Sequence, residues 1–545
     1  MLSFRHARAR SAPPRRLVQV SLLAILALAA ALRFVAPGDV PVNMHFDELS
    51  PAQEALHIAH SGRPNVFSSI GWFTIPNVSF AFAAVAIKVV GRNALLAARL
   101  SSGIMGMGGI LCIFLLARRL FGDRVGLIAS FLTTVSYWHI YHSRTAFPFV
   151  QSSFFTALVL YLLVRGWRDH SRLTLAFAGI CAGLALECYL PTRILLLLCP
   201  VLWVMEWVRN PVPVRTALAD AVTIGIGVLL VLGPLLVCVP WGVLTERSQR
   251  VLLTNPVTLH DFERLHHVVG VLPAFLGNIG LAWTMFTEWA NLAVNSPSPG
   301  GLLDVGTLMA LIAGSLAVMA EGEPSALFLI GWAGLTFFFG VAFTDDPRAS
   351  YRLAAAMPAL FILAALGVDR VLLFVVPPRR WYWLAVRPAL IAGVAAWVLV
   401  QNYRMFFTHP MWVEHYESVA LRLVGSHCDG RQFYFVGDWA GLNTPTSREP
   451  AALELFCPDH APLQADQIPI SDLPRLATVL IVPWPENPRA TETLLSCYPT
   501  AEMVPHRNRN GRLLFTSVDV SAEQLRIGDG CEASLVGSEW ACGVR

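Results

Sequence analysis

The sequence predicts a helical membrane protein with many spans, followed by a small α/β domain at its C-terminus. Of its 545 residues, 55% are hydrophobic and only 14% are charged, whereas soluble domains carry about 25% charged residues. Apolar runs of about 18 residues or more recur along the first three-quarters of the chain, and each has the length of a membrane helix. After residue 405 the composition becomes mixed and polar. We therefore expect a transmembrane region at 1–404 and an extracytoplasmic domain at 405–545.

Eleven apolar runs are predicted to cross the membrane, within an expected total of about 11–13 spans. The first run follows a basic tail, as in a signal peptide, but it is long enough to span, so we expect it to remain uncleaved. The predicted spans are 17–36, 95–117, 125–142, 148–165, 173–189, 191–208, 218–240, 302–320, 325–343, 353–375 and 383–401.

Arginine-rich loops predict the orientation, because short cytoplasmic loops carry an excess of Arg and Lys. When the eleven predicted spans are counted along the chain, the tail before Leu17 and four short arginine-rich loops all fall on the same side of the membrane. The loops are ARRLFGDR (117–124), RGWRDHSR (165–172), VRNPVPVR (208–215) and PPRR (377–380). We therefore expect a multi-pass protein of the plasma (inner) membrane with a cytoplasmic N-terminus. The C-terminal domain would face the cell envelope.

The apolar segment 71–91 would reverse this parity if it crossed the membrane. Pro76, Asn77 and Lys88 make it a poor lipid-facing helix, so we interpret it as an interfacial or re-entrant segment on the outer side. The alternative is an ordinary span combined with an error elsewhere in the count.

The predicted outer loops carry most of the carboxylates at the membrane border, together with several arginines. Ionisable groups at membrane depth are costly and usually face a cavity or a partner. The guanidinium fork matches phosphate oxygens, so a lipid phosphate would explain the arginines; structural pairing is the alternative for each one. The candidate phosphate-binding residues are Arg144, Arg193, Arg247, Arg250, Arg348 and Arg352. Further site candidates are His142, Tyr189, Glu187, Asp345 and Asp346.

His45-Phe46-Asp47-Glu48 follows the first span and precedes a predicted surface helix with Ser50 as its N-cap. Carboxylates just before a helix N-terminus tend to stay ionised, because the helix dipole favours negative charge there. Asp47 and Glu48 could supply a general base for an acceptor hydroxyl. They could instead hold a divalent metal ion together with His45, or they could only cap the helix.

Short motifs follow one another in a characteristic order along 17–400. They are Phe46-Asp47-Glu48, Ala98-Arg99-Leu100-Ser101, Ala117-Arg118-Arg119-Leu120-Phe121-Gly122, Tyr141-His142-Ser143-Arg144 and Tyr189-Leu190-Pro191-Thr192-Arg193. This layout resembles the GT-C superfamily of membrane glycosyltransferases, and most of all its protein O-mannosyltransferase-like branch, glycosyltransferase family 39. Two stretches depart from that branch. One proline stands in 73–77 where the family often has Pro-Pro-Leu, and 147–149 lacks an Asp that the family commonly carries.

The resemblance implies a donor sugar carried on a polyprenyl phosphate and an unidentified acceptor with a hydroxyl at the outer face. Asp47 would be the general base, and the reaction would invert the anomeric centre. Asp47, Glu48, Arg144 and Arg193 match family motifs, whereas the other arginines depend on the predicted topology alone. No cofactor is indicated with certainty, although a divalent metal ion at the acid pair remains open.

The alternative function is a transporter or flippase for a lipid-linked or anionic substrate. Such a protein should carry ionisable residues at mid-membrane and often shows repeated halves. Here the charges gather at the outer ends and no clear repeat is visible, which favours the enzyme over the transporter. A non-catalytic scaffold would leave the border charges unexplained. Nucleic-acid binding has no support, because no basic stripe with interleaved aromatic residues lies beyond the N-terminal tail.

The long outer loop 241–301 is predicted to act as a lid, since loops of this length are usually functional or disordered. In the C-terminal domain, 432–439, 477–485 and 512–520 predict strands. The segments 411–426 and 490–498 predict helices. Five cysteines follow residue 405, and an outer location would permit disulfides whose pairing the spacing does not decide.

Overall fold

A computed structural model describes most of the membrane region and parts of the C-terminal region. The described residues are 14–44, 46–61, 65–91, 93–288, 290–293, 296–375, 383–409, 418–419, 422–423, 432–436, 479–483, 500–508, 511–521, 531–536 and 539–544. The chain forms two compact units. The first comprises Met1–Pro37, Ser61–Val85 and Arg99–His409, and the second comprises Gly38–His60, Ala86–Ala98 and Pro410–Arg545.

Helices dominate the described part of the chain. The first nine are α1 (Arg15–Phe34), α2 (Phe46–His60), α3 (Val78–Val90), α4 (Ala94–Phe121), α5 (Asp123–Val135), α6 (Tyr137–Arg144), α7 (Phe149–Arg168), α8 (Arg172–Glu187) and α9 (Leu195–Arg209). The next eight are α10 (Val214–Cys238), α11 (Trp241–Val251), α12 (Pro256–His266), α13 (Val271–Thr287), α14 (Val305–Glu321), α15 (Pro324–Phe337), α16 (Met357–Val375) and α17 (Trp383–Tyr403).

The prediction of a polytopic helical membrane protein is confirmed. Within the described residues, 8 helices are long and apolar enough to cross a membrane, or up to 9 if the bent pair α12–α13 is one span. Each predicted span contains a helix; the span 125–142 is broken into α5 and α6, and α8 and α14 are shorter than a full crossing. The segment 241–301, predicted to be an outer loop, contains three helices; its place on the outer side and its role as a lid stay predictions. α13 is apolar, and α12 meets it at an angle of 61°.

Glycines allow neighbouring helices of the first unit to approach closely. A Cβ added at Gly227 of α10 would lie 2.7 Å from the carbonyl oxygen of Ala176 and 2.8 Å from the amide nitrogen of Ile180, both on α8. Small residues at helix contacts are typical of membrane proteins, where packing rather than hydrophobicity joins the helices. The α8–α10 contact therefore has no room for a side chain at this position.

Arginines at one end of this bundle pair with carboxylates of neighbouring helices. Arg168 binds Glu206 through two bonds of 2.6 and 2.9 Å, and it donates to the carbonyl of Arg119 at 2.8 Å. Arg209 and Arg370 make comparable pairs with acidic residues near the start of α15 and the end of α14. These bonds bring the predicted basic loops 117–124, 165–172 and 208–215 to the same end of the bundle.

At the opposite end, the ends of α1 and α6 lie together, because Arg144 binds the carbonyl oxygens of Leu32 and Ala36. α1 and the broken span α5–α6 therefore run in the same direction. With 13 residues, α3 is about 20 Å long, short of the roughly 30 Å hydrocarbon core. A full crossing by α3 would have placed the end of α6 on the side opposite to the end of α1. This geometry agrees with the interpretation of 71–91 as a segment that does not span.

The second unit contains the C-terminal strands. Two short strands of the first unit, β1 (Asn291–Ala293) and β2 (Ser296–Pro297), form a hairpin. The second unit has a four-stranded sheet in the order β3-β4-β6-β5. Its strands are β3 (Gln432–Val436), β4 (Val479–Pro483), β5 (Glu502–Arg507) and β6 (Leu513–Val520). β3 and β4 are parallel, and the other pairs are antiparallel. β7 (Cys531–Val536) pairs with β8 (Glu539–Val544). The three predicted strands are confirmed. The predicted helices 411–426 and 490–498 lie mostly outside the described residues, and the boundary at 404 stays a prediction.

Candidate functional site

The acid pair lies at the start of α2. The helix begins at Phe46, so the predicted N-cap at Ser50 is wrong, and Asp47 and Glu48 occupy the first turn. Acidic residues in a first turn interact favourably with the helix dipole, which explains why the helix extends this far. Both side chains are buried, with exposed fractions of 3% and 1%. Carboxylates are seldom this deeply buried, so the pair stays a candidate for chemistry. His45 lies outside the described residues.

Arg144 lies at the end of α6, and its guanidinium binds main-chain carbonyls of the first span. Nη1 donates to the oxygens of Leu32 and Val35 at 2.9 Å each, and Nη2 donates to Ala36 at 2.7 Å. The guanidinium also lies 5.4 Å from the ring centroid of Phe407. These contacts hold the end of α1, and the predicted role of Arg144 as a phosphate ligand stays a prediction.

His142 and Glu187 are buried side chains without hydrogen-bond partners in the described part of the chain. Both are 0% exposed, and neither the two ring nitrogens of His142 nor the two carboxylate oxygens of Glu187 meet a partner. The imidazole lies among aromatic rings, with centroids at 4.2 Å for Trp138 and 5.5 Å for Phe149. Buried polar groups are normally hydrogen-bonded, so each exception needs an explanation.

Aromatic rings connect this region to the segment after α15. The ring of Phe149 packs against Tyr189, with centroids 4.6 Å apart, and stacks on Tyr351 at 4.9 Å. The next residue, Arg352, donates to Asp345 at 2.7 Å. Tyr189, Arg352 and Asp345 thus lie in one region of the first unit, and their membership of one functional site stays a prediction.

Asp346 and Arg348 form part of a turn instead. The carboxylate of Asp346 accepts hydrogen bonds from the side-chain amide of Asn291 at 3.1 Å and from the backbone amide of Arg348 at 3.0 Å. The backbone carbonyl of Arg348 accepts from the amide of Asn291 at 2.8 Å. These bonds fix the turn against β1, and the side chain of Arg348 is half-buried.

Arg193 and Arg247 both lie at the short helix α11. Arg193 binds this helix and Arg247 belongs to it, and the partners of both side chains are neutral. Arg193 donates to the hydroxyl of Ser248 at 2.8 Å and to the carbonyl of Leu244 at 3.1 Å. Arg247 lies 4.4 Å from the ring centroid of Phe73, whose φ of +50° is unusual for a residue other than glycine. Both guanidinium groups therefore lie at the same helix and are held by a hydroxyl, a carbonyl and a ring.

Arg250, on the same helix, is exposed and differs from these two. It binds Glu246 one turn earlier at 2.5 Å, and its side chain is 68% exposed. An exposed pair at this spacing stabilises a helix by about 0.3–0.5 kcal/mol. Its structural contribution is therefore small.

A metal site involving the acid pair stays a prediction. Across the described residues, no group of three or more His, Cys, Asp or Glu side chains could hold a metal ion. Asp47 and Glu48 are two carboxylates, and the third predicted ligand, His45, is not among the residues that the structure describes.

Arg33, which is 1% exposed inside α1, was not among the residues predicted from the sequence. Its guanidinium donates to the carbonyl of Thr134 at 3.1 Å, to that of Thr133 at 3.4 Å and to Nδ1 of His139 at 2.9 Å. An arginine near the end of an apolar run was the available signal, because such a residue seldom faces lipid. However, a basic residue at the end of a span is also typical of the membrane border, so the sequence did not distinguish Arg33 from an ordinary border residue.

Comparison with known proteins gives a match in the membrane region. Residues 75–235 match the family model described as dolichyl-phosphate-mannose-protein mannosyltransferase. The structure of ArnT from Cupriavidus metallidurans in the apo state is 16% identical, with a TM-score of 0.52 over 93% of this chain and 98% of that one. The same protein bound to undecaprenyl phosphate is 16% identical, with a TM-score of 0.51 over 92% and 97% of the two chains.

The apo oligosaccharyltransferase of Archaeoglobus fulgidus is also similar, at 14% identity and a TM-score of 0.48. The alignment covers 81% of this chain and 64% of that one, so the chain spans slightly less than two thirds of its length. No curated protein matches the sequence. At these identities the likeness to ArnT shows a shared fold.

Proposed function

We propose that this chain, a multi-pass membrane protein with the GT-C fold that is similar to protein O-mannosyltransferases, transfers a sugar from a polyprenyl phosphate to an acceptor hydroxyl. The observation that carries the proposal is the buried acid pair, Asp47 and Glu48, in the first turn of the helix after the first span. The family-model match at 75–235 and the fold shared with ArnT support the same class of reaction. ArnT has been solved with undecaprenyl phosphate, which supports a lipid-phosphate donor here.

Asp47 is the proposed general base. Its carboxylate takes the proton of the acceptor hydroxyl while the oxygen attacks the anomeric carbon of the donor sugar. The bond between that carbon and the phosphate oxygen breaks, and the polyprenyl phosphate leaves with the electron pair. The anomeric centre is inverted, and the proton passes from Asp47 to solvent.

The leaving phosphate needs cationic groups that stabilise its developing charge. Arg193 and Arg247 are the best suited of the predicted arginines, because their observed partners are neutral. A phosphate makes charge-assisted bonds about twice as strong as those to a hydroxyl or a carbonyl, so it can compete for these guanidinium groups. Arg250 and Arg352 already bind carboxylates, which makes them weaker candidates. Arg348 stays a candidate by its predicted position alone.

The reaction is proposed to occur at the outer face of the plasma membrane. The basic loops 117–124, 165–172 and 208–215 share one end of the bundle, and the excess of arginine there indicates the cytoplasmic side. The end of α1, from which the chain runs on to the acid pair, is at the other end. The donor lipid would then be used from the outer leaflet.

The test replaces Asp47 by Asn in protein reconstituted with a panel of short-chain polyprenyl-phosphate sugars and hydroxyl acceptors. We expect the transfer rate to fall by about a hundredfold or more, because general-base catalysis contributes roughly 10²–10⁴-fold. Asp39→Asn is the matched control, since Asp39 is an exposed aspartate in 37–94, the predicted outer loop that also contains Asp47. Wild-type transfer by the Asp47→Asn protein would rule out this residue as the base.

The transporter or flippase remains the alternative. The same vesicles distinguish it, because a flippase moves the labelled donor lipid between leaflets without forming a glycoside. If the vesicles move the labelled lipid but form no new glycosidic bond with any donor and acceptor, the protein is a transporter and the proposed transferase activity is wrong.

A further inference from the structure

Arg33 and Arg144 are two buried arginines that bind helix ends near each other. Each donates hydrogen bonds to main-chain carbonyls at the C-terminal end of a helix in the part of the chain where the other arginine lies. Arg33 of α1 donates to the carbonyls of Thr133 and Thr134, which lie at the end of α5. Arg144 of α6 donates in the opposite direction, to carbonyls at the end of α1. The two residues therefore connect α1 and the broken span reciprocally. Each side chain is 1% exposed.

The chemistry of helix ends explains why arginine occupies both positions. The last four carbonyls of a helix have no intrahelical donor, and they form the negative end of the helix dipole. Where a helix end is buried in the protein, water does not reach these carbonyls, so side chains must satisfy them. The guanidinium group has five N–H donors in a plane and can bind several carbonyls at once, which a lysine ammonium on a flexible stem does less well.

The break between α5 and α6 depends on the same contacts. α5 ends at Val135, Ser136 accepts a hydrogen bond from the amide of His139, and the amide of Tyr137 donates to the side chain of Asn402 at 2.9 Å. Nδ1 of His139 lies 2.9 Å from Arg33. The start of α6 is thus bonded to Arg33 and Asn402, while its last residue, Arg144, binds α1.

The end of α1 carries a second sign of this dependence. Ala36 has a φ of +48°, a conformation that costs a residue with a Cβ roughly 1 kcal/mol or more. Its carbonyl is the oxygen that Arg144 binds at 2.7 Å. The bond from Arg144 therefore helps to hold the chain in an unfavourable conformation where it leaves the first span, eleven positions before Asp47 in the sequence.

We propose that Arg33 and Arg144 are positioning residues for the transfer reaction, acting through reciprocal capping of the ends of α5 and α1. This inference rests on the proposed function. It assigns to Arg144 a role other than binding the donor phosphate, and it adds Arg33. The pair fixes the end of the first span, and Asp47 follows Ala36 by eleven residues in the sequence. A small displacement of a catalytic group reduces the rate strongly.

The experiment combines a double-mutant cycle with steady-state kinetics. Arg33→Met, Arg144→Met and the double variant are reconstituted with the polyprenyl-phosphate sugar panel, and their melting temperatures are measured in detergent. Each single variant should lower Tm by roughly 3 °C or more. The double variant should lower it by less than the sum, because each substitution disrupts the same connection. The kcat should fall about ten- to a hundredfold, while KM for the donor changes by less than about threefold.

Two further variants sharpen the test. Ala36→Gly in the Arg144→Met background should recover part of the lost Tm and kcat, because glycine adopts a positive φ without the Cβ penalty. Arg264→Met is the control, since Arg264 is 79% exposed on α12 and should change neither value.

Additive losses of Tm, or a large rise in donor KM with kcat unchanged, would overturn the proposal, and the second result would make Arg144 a phosphate ligand. If the wild type transfers no sugar, the proposed function fails, whereas the Tm cycle still decides whether the two arginines cap as a pair.

Discussion

Glu187 is a carboxylate with no exposure to solvent and no hydrogen-bond partner among the residues that the structure describes. An unpaired buried charge is expensive, so such a group is neutral in the folded state or has its charge compensated by a bound partner. Another glutamate of the bundle, Glu206, is also buried, at 3% exposure, but binds Arg168 through both oxygens. Replacing the carboxylate by an amide should therefore affect stability differently at the two positions.

We expect Glu187→Gln to leave the melting temperature unchanged or to raise it by a few degrees, because the amide carries no charge to desolvate. Glu206→Gln should lower it, since leaving one member of a buried ion pair alone is destabilising; with Arg168 24% exposed, we expect at most about 3 kcal/mol. Thermal unfolding in detergent measures both. A clear loss of stability in Glu187→Gln would mean that the carboxylate has a partner in the folded protein.

The sequence indicated which residue types belong to the membrane border, but it could not assign their partners. Arg352 and Asp345 were both predicted site residues, and the structure pairs them with each other. Arg193 binds a hydroxyl and a carbonyl of α11, contacts that depend on how a surface helix folds back. Arg33 was missed because its partners lie about a hundred residues away and include the main-chain carbonyls of Thr133 and Thr134, and no side-chain pattern encodes a carbonyl.

At the scale of single elements, two helices of the bundle are in main-chain contact at a glycine. The contact between α8 and α10 brings the main chain of one helix against Gly227 of the other. Gly225 lies in the same helix, only two residues earlier, and a Cβ there would meet nothing within 4 Å. The two glycines thus differ in packing while sharing the same helix and similar sequence surroundings.

Gly227→Ala should destabilise the protein by about 1–3 kcal/mol, because the added methyl group forces the helices apart. Gly225→Ala should be neutral or stabilising by up to about 1 kcal/mol, since alanine favours the helix more than glycine does. Thermal unfolding of the two variants compares them directly. Equal effects would show that helix propensity, and not the α8–α10 contact, determines the result.

Elements were predicted best where the apolar run was long. α4 and α10, with 28 and 25 residues, occupy most of their predicted spans, whereas α13, with 17 residues, was missed inside a predicted outer loop. Its angle to α12 is a tertiary property that the local sequence does not encode. The strands β3, β4 and β6 were recognised by their β-branched and aromatic composition, but their order in the sheet depends on pairings distant in sequence.

At the scale of the whole molecule, the resemblance to the GT-C superfamily is confirmed by the family-model match and by the fold shared with ArnT. Its direction across the bilayer stays a prediction based on the arginine-rich loops. The structure adds that three of these loops meet at one end of the first unit. They must therefore all face the same side.

Two exposed histidines in segments predicted to lie on opposite sides of the membrane allow this direction to be measured. We expect His267→Cys to react with a membrane-impermeant thiol reagent in intact cells. His170→Cys should react only after permeabilisation, because it lies in the basic loop 165–172. Both variants are made in a background from which the native cysteines are removed, and that background alone is the control. The reverse labelling pattern would place the acid pair's side of the first span in the cytoplasm and contradict the proposed outer-face reaction.

The shortness of several helices has a consequence for the surrounding lipid. With 16 residues in α8 and 17 in α14, these helices are about 24 and 26 Å long, against a hydrocarbon core of about 30 Å. Such a mismatch is relieved when the bilayer thins locally or when long polar side chains extend toward the headgroups. We therefore expect the bilayer to be thinner where these short helices face the lipid than elsewhere around the protein.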